Sequence, residues 1–106
     1  MSTKYSINDI RLGEFLCVNH NGRELILART GVNDFFVFDR KCPHLGCDLC
    51  KVGIIIKNRL ICQCHYSEFS LIDGSLISGP SSRGIKVYKY LVKDGYIIIL
   101  DNNLIV

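Results

Sequence analysis

The sequence predicts an all-β fold, a small antiparallel sandwich or barrel. Three observations carry that expectation. Apolar runs of roughly four to eight residues recur along the chain, the length of strands rather than helices. Turn pairs of the Asn-Gly and Asp-Gly kind separate them. No stretch of about eleven residues or more shows a 3.6-residue apolar period, so little helix is expected.

The elements follow in order. Gly13 to Val18 and Glu24 to Arg29 read as strands joined through Asn21-Gly22, whose residues tolerate the positive φ a tight hairpin turn needs. Asp34 to Asp39, with Phe35, Phe36, Val37 and Phe38, reads as a third strand. Val52 to Ile56 and Arg59 to Cys62 form a hairpin turning at Lys57-Asn58. Phe69 to Ile72 and Ser75 to Ile77 flank Asp73-Gly74. Ile85 to Val92 and Tyr96 to Leu100 flank Lys93-Asp94-Gly95. The sequence shows no internal repeat and no linker.

Composition narrows the function. A chain of 106 residues corresponds to one domain. Thirteen Lys and Arg against ten Asp and Glu leave a net charge of +3, with no basic block, too mild a field for nucleic acid. The longest apolar runs, Ile54 to Ile56 and Tyr96 to Leu100, fall far short of the roughly 20 residues needed to cross a bilayer. The N-terminus shows no signal-peptide pattern, so a cytoplasmic location with no membrane partner is expected. Six cysteines are many for such a chain and imply metal ligands or a disulfide framework; a reducing compartment favours metal.

Two stretches interrupt the strands, Lys41 to Lys51 and Gln63 to Ser70. The first holds Cys42-Pro43-His44-Leu45-Gly46-Cys47. The second, with the cysteine just before it, reads Cys62-Gln63-Cys64-His65-Tyr66-Ser67. A C-x-H pair and a C-x-x-H pair thus lie seventeen residues apart, room for one strand hairpin between them. Both loops would then emerge at one end of the sheet, bringing two thiolates and two imidazoles together. Sulfur and imidazole donors suit zinc or an iron–sulfur cluster, not calcium or magnesium. Of the residues outside these loops, Cys17 reads as a buried core thiol and His20 as a solvated turn residue.

This pattern resembles the ligand pattern of Rieske [2Fe–2S] proteins, from about Asp34 to Leu100, and is most similar to the soluble archaeal Rieske ferredoxins of the sulredoxin type. The resemblance implies one [2Fe–2S] cluster, with Cys42 and Cys62 on one iron and His44 and His65 on the other. It implies a Cys47–Cys64 disulfide between the loops, a shielding role for Leu45, and a hydrogen bond from Ser67 to a cluster sulfur. It implies a third loop, at Gly79-Pro80, covering the cluster. The fold would be of the Rieske type: a base sheet from about 1–39 and 80–106, and a cluster-binding subdomain of two loops on a hairpin from about 40–79.

The same resemblance implies a one-electron carrier, not an enzyme, exchanging electrons with redox protein donors and acceptors. Two thiolates and two neutral imidazoles leave the oxidised cluster formally neutral, so its potential should lie in the window of about −150 to +300 mV rather than near about −400 mV. Phe69 stands where respiratory members have a tyrosine that bonds a ligand cysteine. With Ser67 kept and that tyrosine absent, a potential between the respiratory and oxygenase-ferredoxin types is expected. A ligand imidazole keeps a proton on its second nitrogen, so electron uptake should be coupled to proton uptake.

Two other readings remain open. Cys42, Cys47 and Cys50 fit C-x4-C-x2-C, the opening of a plant-type ferredoxin motif, which leaves both histidines unexplained. A structural zinc site on the same loops would have no redox role. Cys50 is left to pair with Cys47 or Cys64 or to stay free. Lys41, Lys51 and Arg83 read as a solvated basic surface.

Overall fold

A computed structural model of the chain describes residues 4–100. Among the described residues ten strands and one short helix occur in the order β1 (Lys4–Ser6), β2 (Phe15–His20), β3 (Arg23–Arg29), β4 (Phe35–Asp39), α1 (Leu49–Val52), β5 (Gly53–Ile56), β6 (Arg59–Cys62), β7 (Ser67–Ser70), β8 (Leu76–Ser78), β9 (Tyr90–Lys93) and β10 (Tyr96–Ile99). A 3₁₀ turn at Ile7–Asp9 follows β1. The strands make three antiparallel sheets, β1-β10-β9, β2-β3-β4 and β5-β6-β7-β8. Residues 1–3 and 101–106, placed in the base sheet by sequence, lie outside the described residues.

The hairpin turns follow from residues that accept positive φ. Asn21 and Gly22 adopt φ of 53° and 84°, and Asp94 and Gly95 adopt 54° and 81°, so each pair twists in the sense that matches its flanking strands. The alternation of β6 and β7 buries Leu60, Cys62, Ser67 and Phe69 and turns their neighbours outward.

Two apolar clusters form the core. One gathers Leu25, Leu27, Phe35, Val37, Tyr88, Ile97 and Ile99 between the two three-stranded sheets. The other packs Ile26, Ala28 and Phe38, from the opposite face of β3 and β4, against Leu49, Leu60, Phe69, Leu71 and the two thiols Cys42 and Cys62. Strands β3 and β4 are thus buried on both faces, which accounts for their unbroken apolar runs.

Four expectations need correction. The strand expected over Ile85 to Val92 is only β9, because the segment changes partner. Lys86 and Tyr88 hydrogen-bond to Asp39 and Val37 of β4, with one bridge at Val87, before the chain joins β10 at Tyr90. The stretch Lys41 to Lys51 is not wholly loop: Asp48 caps α1 by accepting from the Cys50 N–H at 3.0 Å. His20 is not solvated but 1% exposed, since β1 carries Tyr5 to within 3.3 Å of its Nδ1. Cys17 is not a free thiol: it is joined to Cys50, which pairs with neither Cys47 nor Cys64.

Candidate functional site

Antiparallel pairing of β5 with β6 sets Gly53 opposite Cys62. The chain enters β5 and leaves β6 at the same end of the sheet, so both cysteine-containing loops meet there. The first loop is closed at its base. Leu49 N–H donates to Arg40 O at 2.8 Å, and the Arg40 guanidinium grips the Asp48 carboxylate through two bonds of 2.8 and 2.9 Å. That ion pair holds the Asp48 carboxyl down to about 2. Within the loop, Gly46 donates to Cys42 O at 2.8 Å and Cys42 donates to Cys47 O at 2.9 Å. In the second loop, Tyr66 N–H returns to Cys62 O at 2.7 Å, with Tyr66 at φ 63°.

The six cysteines divide sharply. Cys47 and Cys64 form a disulfide between the two loops, with Cα atoms 6.5 Å apart. Cys42 and Cys62 are the free thiols, and both are buried. The two thiols adjoin each other. Burial pushes the Cys42 thiol up, while the peptide N–H groups of His44 and Leu45 aim at its sulfur and favour the thiolate. The rings of His44 and His65 meet edge to face, 5.0 Å between centroids. Cys47, Cys64 and His65 also offer ligand atoms within 4.8 Å of one another, but the two sulfurs are bonded together and are not thiolate donors.

These residues fit a cluster with mixed sulfur and nitrogen donors. Two paired, buried thiols need an electropositive partner to exist as thiolates. The Nδ1 atom of His44 is buried without any hydrogen-bond partner, which leaves its lone pair free for a metal. The histidine edge faces outward: His65 is exposed, and Leu45 and Tyr66 are each 67% exposed beside it.

The third loop closes over this end. A Cβ at Gly79, whose φ is 105°, would stand 2.5 Å from Ser67 Cα and 2.7 Å from Tyr66 O, so the glycine is what lets the two backbones touch. Beyond Pro80, the Ser81 N–H donates to the buried Ser67 Oγ at 3.0 Å. That bond leaves the Ser67 hydroxyl proton for another acceptor. Phe69 is wholly buried in the core beneath. Sequence reasoning missed Ser81, which has no distinguishing motif, and the Arg40–Asp48 clamp. An aspartate just before a short apolar turn is the one signal that could have found the latter.

The family model of the Rieske [2Fe-2S] domain matches residues 4–89. The chain belongs to the Rieske [2Fe–2S] family. A Rieske domain binds one [2Fe–2S] cluster and serves electron transport. The chain is 33% identical over 98 residues to cholesterol 7-desaturase nvd of Drosophila melanogaster, covering 87% of this chain and 23% of that protein. It is 30% identical over 95 residues to the cytochrome b6-f complex iron-sulfur subunit of Chlorobaculum tepidum, covering 90% of this chain and 43% of that one. The chain therefore spans less than a quarter of the first of these relatives and less than half of the second. Its fold matches the ferredoxin of carbazole 1,9a-dioxygenase from Nocardioides aromaticivorans IC177 with a TM-score of 0.82, at 18% identity over 90% of this chain and 91% of that one. The terminal oxygenase of the same system matches with a TM-score of 0.82, at 23% identity over 93% of this chain and 29% of that one. Among the described residues no helix is long and apolar enough to cross a membrane.

Proposed function

We propose that the chain is a soluble, cytoplasmic one-electron carrier whose cluster is held by Cys42, His44, Cys62 and His65, on a cluster-binding subdomain formed by about residues 40–79. The observation that carries this reading is the division of the thiols. Four cysteines are consumed in disulfides, and the two that remain lie together, buried, in the loops that bring His44 and His65 into contact. The plant-type alternative needs Cys47 and Cys50 as thiolates, and both are bridged.

When bound, the cluster accepts and returns one electron. The residues around it do the rest. Cys42 and Cys62 supply the two negative charges from the buried side. His44 and His65 supply neutral donors at the outer edge, His44 through Nδ1. The second ring nitrogen of each histidine carries a proton, so electron uptake at the site is coupled to proton uptake there. Ser67 offers its hydroxyl proton to sulfur, and the Gly79-Pro80 loop excludes water from that side.

The redox partners are proteins that meet the exposed face of His65, Leu45 and Tyr66. The enzyme systems of the similar proteins supply the class: a ferredoxin and an oxygenase of one dioxygenase, and a subunit of a cytochrome complex. A bound redox subunit, or a module of a larger oxidoreductase, is the second reading. It is favoured by the short share of its relatives that the chain spans. Anaerobic EPR of the reduced protein tests the ligation: a low average g supports two histidines, a higher one supports four thiolates, and silence supports zinc. Size-exclusion of the purified protein with and without cell extract separates a free carrier from a bound subunit.

A further inference from the structure

The Cys17–Cys50 disulfide has no part in the cluster pattern, yet it lies against it. Cys17 is in the middle of β2, paired with Ile26 of β3. Cys50 is in α1, three residues past Cys47 and eight past Cys42. Both half-buried sulfurs pack on the apolar cluster that also contains Cys42 and Cys62.

The first loop leaves and rejoins the β2-β3-β4 sheet at two points. On the entering side, Arg40 N–H donates to Glu24 O of β3 at 3.0 Å. On the leaving side, the covalent link to the sheet is Cys50 to Cys17. At its tip the loop is bonded to the second loop by Cys47–Cys64. Sheet, first loop and second loop are therefore cross-linked in series, with Cys17–Cys50 as the link nearest the sheet.

We propose that Cys17–Cys50 is a thiol-dependent latch on cluster retention: oxidised, it holds the stem of the first loop against β2; reduced, it lets that stem open and release the cluster without unfolding the sheets. The proposal rests on the reading that Cys42 and His44 of this loop hold the cluster. The opening step is thiol–disulfide exchange with a small dithiol. One dithiol gives two electrons and two protons, becomes a cyclic disulfide, and leaves Cys17 and Cys50 as thiols. Reclosure is the reverse reaction with an oxidised dithiol. The sheets remain in place, because Ile26, Ala28 and Phe38 of β3 and β4 are packed against Leu60, Phe69 and Leu71, contacts that do not pass through the bridge.

The test uses the cluster-loaded protein with Cys47→Ser and Cys64→Ser, in which Cys17–Cys50 is the remaining bridge, and the same protein carrying Cys17→Ser and Cys50→Ser in addition. Visible absorbance follows cluster loss to a chelator, with and without dithiothreitol. Alkylation and intact mass count the thiols, and amide hydrogen exchange reports opening. We expect dithiothreitol to speed cluster loss from the first protein about tenfold, equivalent to about 1.4 kcal/mol. It should leave the rate of the second unchanged and already fast. Amides of residues 40–52 should exchange while those of β3 stay protected. Equal rates with Cys17 and Cys50 shown to be free thiols would overturn the latch. So would β3 exchanging in step with the loop, since the bridge would then act on global stability alone. Should these variants lose the cluster too fast to follow, wild-type protein under limiting dithiothreitol gives the same comparison: loss must track alkylation of Cys17 and Cys50 rather than of Cys47 and Cys64. Cys42→Ser and His44→Ala address the underlying ligation separately, because that reading fails if they retain the native spectrum.

Discussion

Gly79→Ala should loosen the cover of the site by an amount the geometry sets. The residue's φ is 105°, where an L side chain is strained, at a cost of roughly 1–2 kcal/mol. The new methyl would also meet backbone atoms of Ser67 and Tyr66 at 2.5 and 2.7 Å, and backbone cannot swing aside as a flexible side chain would. Forced overpacking of this kind adds roughly 1–3 kcal/mol, for a total of about 2–5 kcal/mol against a typical domain stability of about 5–15 kcal/mol. A fall of about 10 °C or more in Tm follows for a chain of this size. Gly46→Ala is the internal control. Gly46 has a φ of 77° but nothing within 4 Å of its would-be Cβ, so it isolates the conformational term. Lifting the third loop also breaks the Ser81–Ser67 bond, so the midpoint potential of G79A should move towards that of Ser67→Ala. Chemical denaturation and redox titration of the two alanine variants check both parts. Equal stability loss in G79A and G46A, with an unchanged potential, would refute the close-packed cover.

Four further outcomes are expected. Ser67→Ala should lower the midpoint by roughly 40–60 mV, the equivalent of a hydrogen bond worth about 1–1.5 kcal/mol, read by redox titration. Removing the Cys17–Cys50 bridge, which closes a loop of sequence separation 33, should lower stability by about 3–4 kcal/mol on the chain-entropy account, read by guanidinium denaturation of the cluster-free oxidised protein. Asp48 is held down to about 2 in the folded protein, with Arg40 as the first cause, against an unfolded value near about 3.9. Its contribution to stability is therefore complete above about pH 4 and is lost as pH falls towards 2; Asp48→Asn should abolish that part of the acid transition. In alkaline solution the midpoint should fall by about 59 mV per pH unit for each coupled proton, and the limiting slope should halve when one of the two histidines is replaced by a ligand without a second nitrogen.

The meeting of the two Cys/His loops was more legible in the sequence than the scaffold that holds them. Two short Cys/His motifs at fixed spacing, with a hairpin between them, specify a meeting of loops almost independently of the rest of the chain. The hairpins at Asn21-Gly22 and Asp94-Gly95 were legible for a similar local reason: the turn residues determine the twist. What depended on distant contacts was not legible. The three residues of β1 are too few to show alternation, and missing them put His20 in solvent rather than beneath Tyr5. The four residues of α1 are too short for a helical period, and their cap became visible only with Asp48 in place. The pairing of Cys17 with Cys50 could not be inferred from spacing, because connectivity is a property of the folded chain. Ile85 to Tyr90 has the composition of a strand, but it passes from β4 to β10, and no local pattern marks a change of partner.

In the proposed carrier two cysteines, Cys42 and Cys62, and two histidines, His44 and His65, hold the cluster. Pulsed EPR of the dithionite-reduced protein with nitrogen-15-labelled histidine measures this most directly. Two strongly coupled histidine nitrogens are expected, one lost in His44→Cys and the other in His65→Cys, with His20→Gln leaving both in place. Couplings that survive in either ligand variant, or no histidine coupling in the wild-type protein, would contradict it.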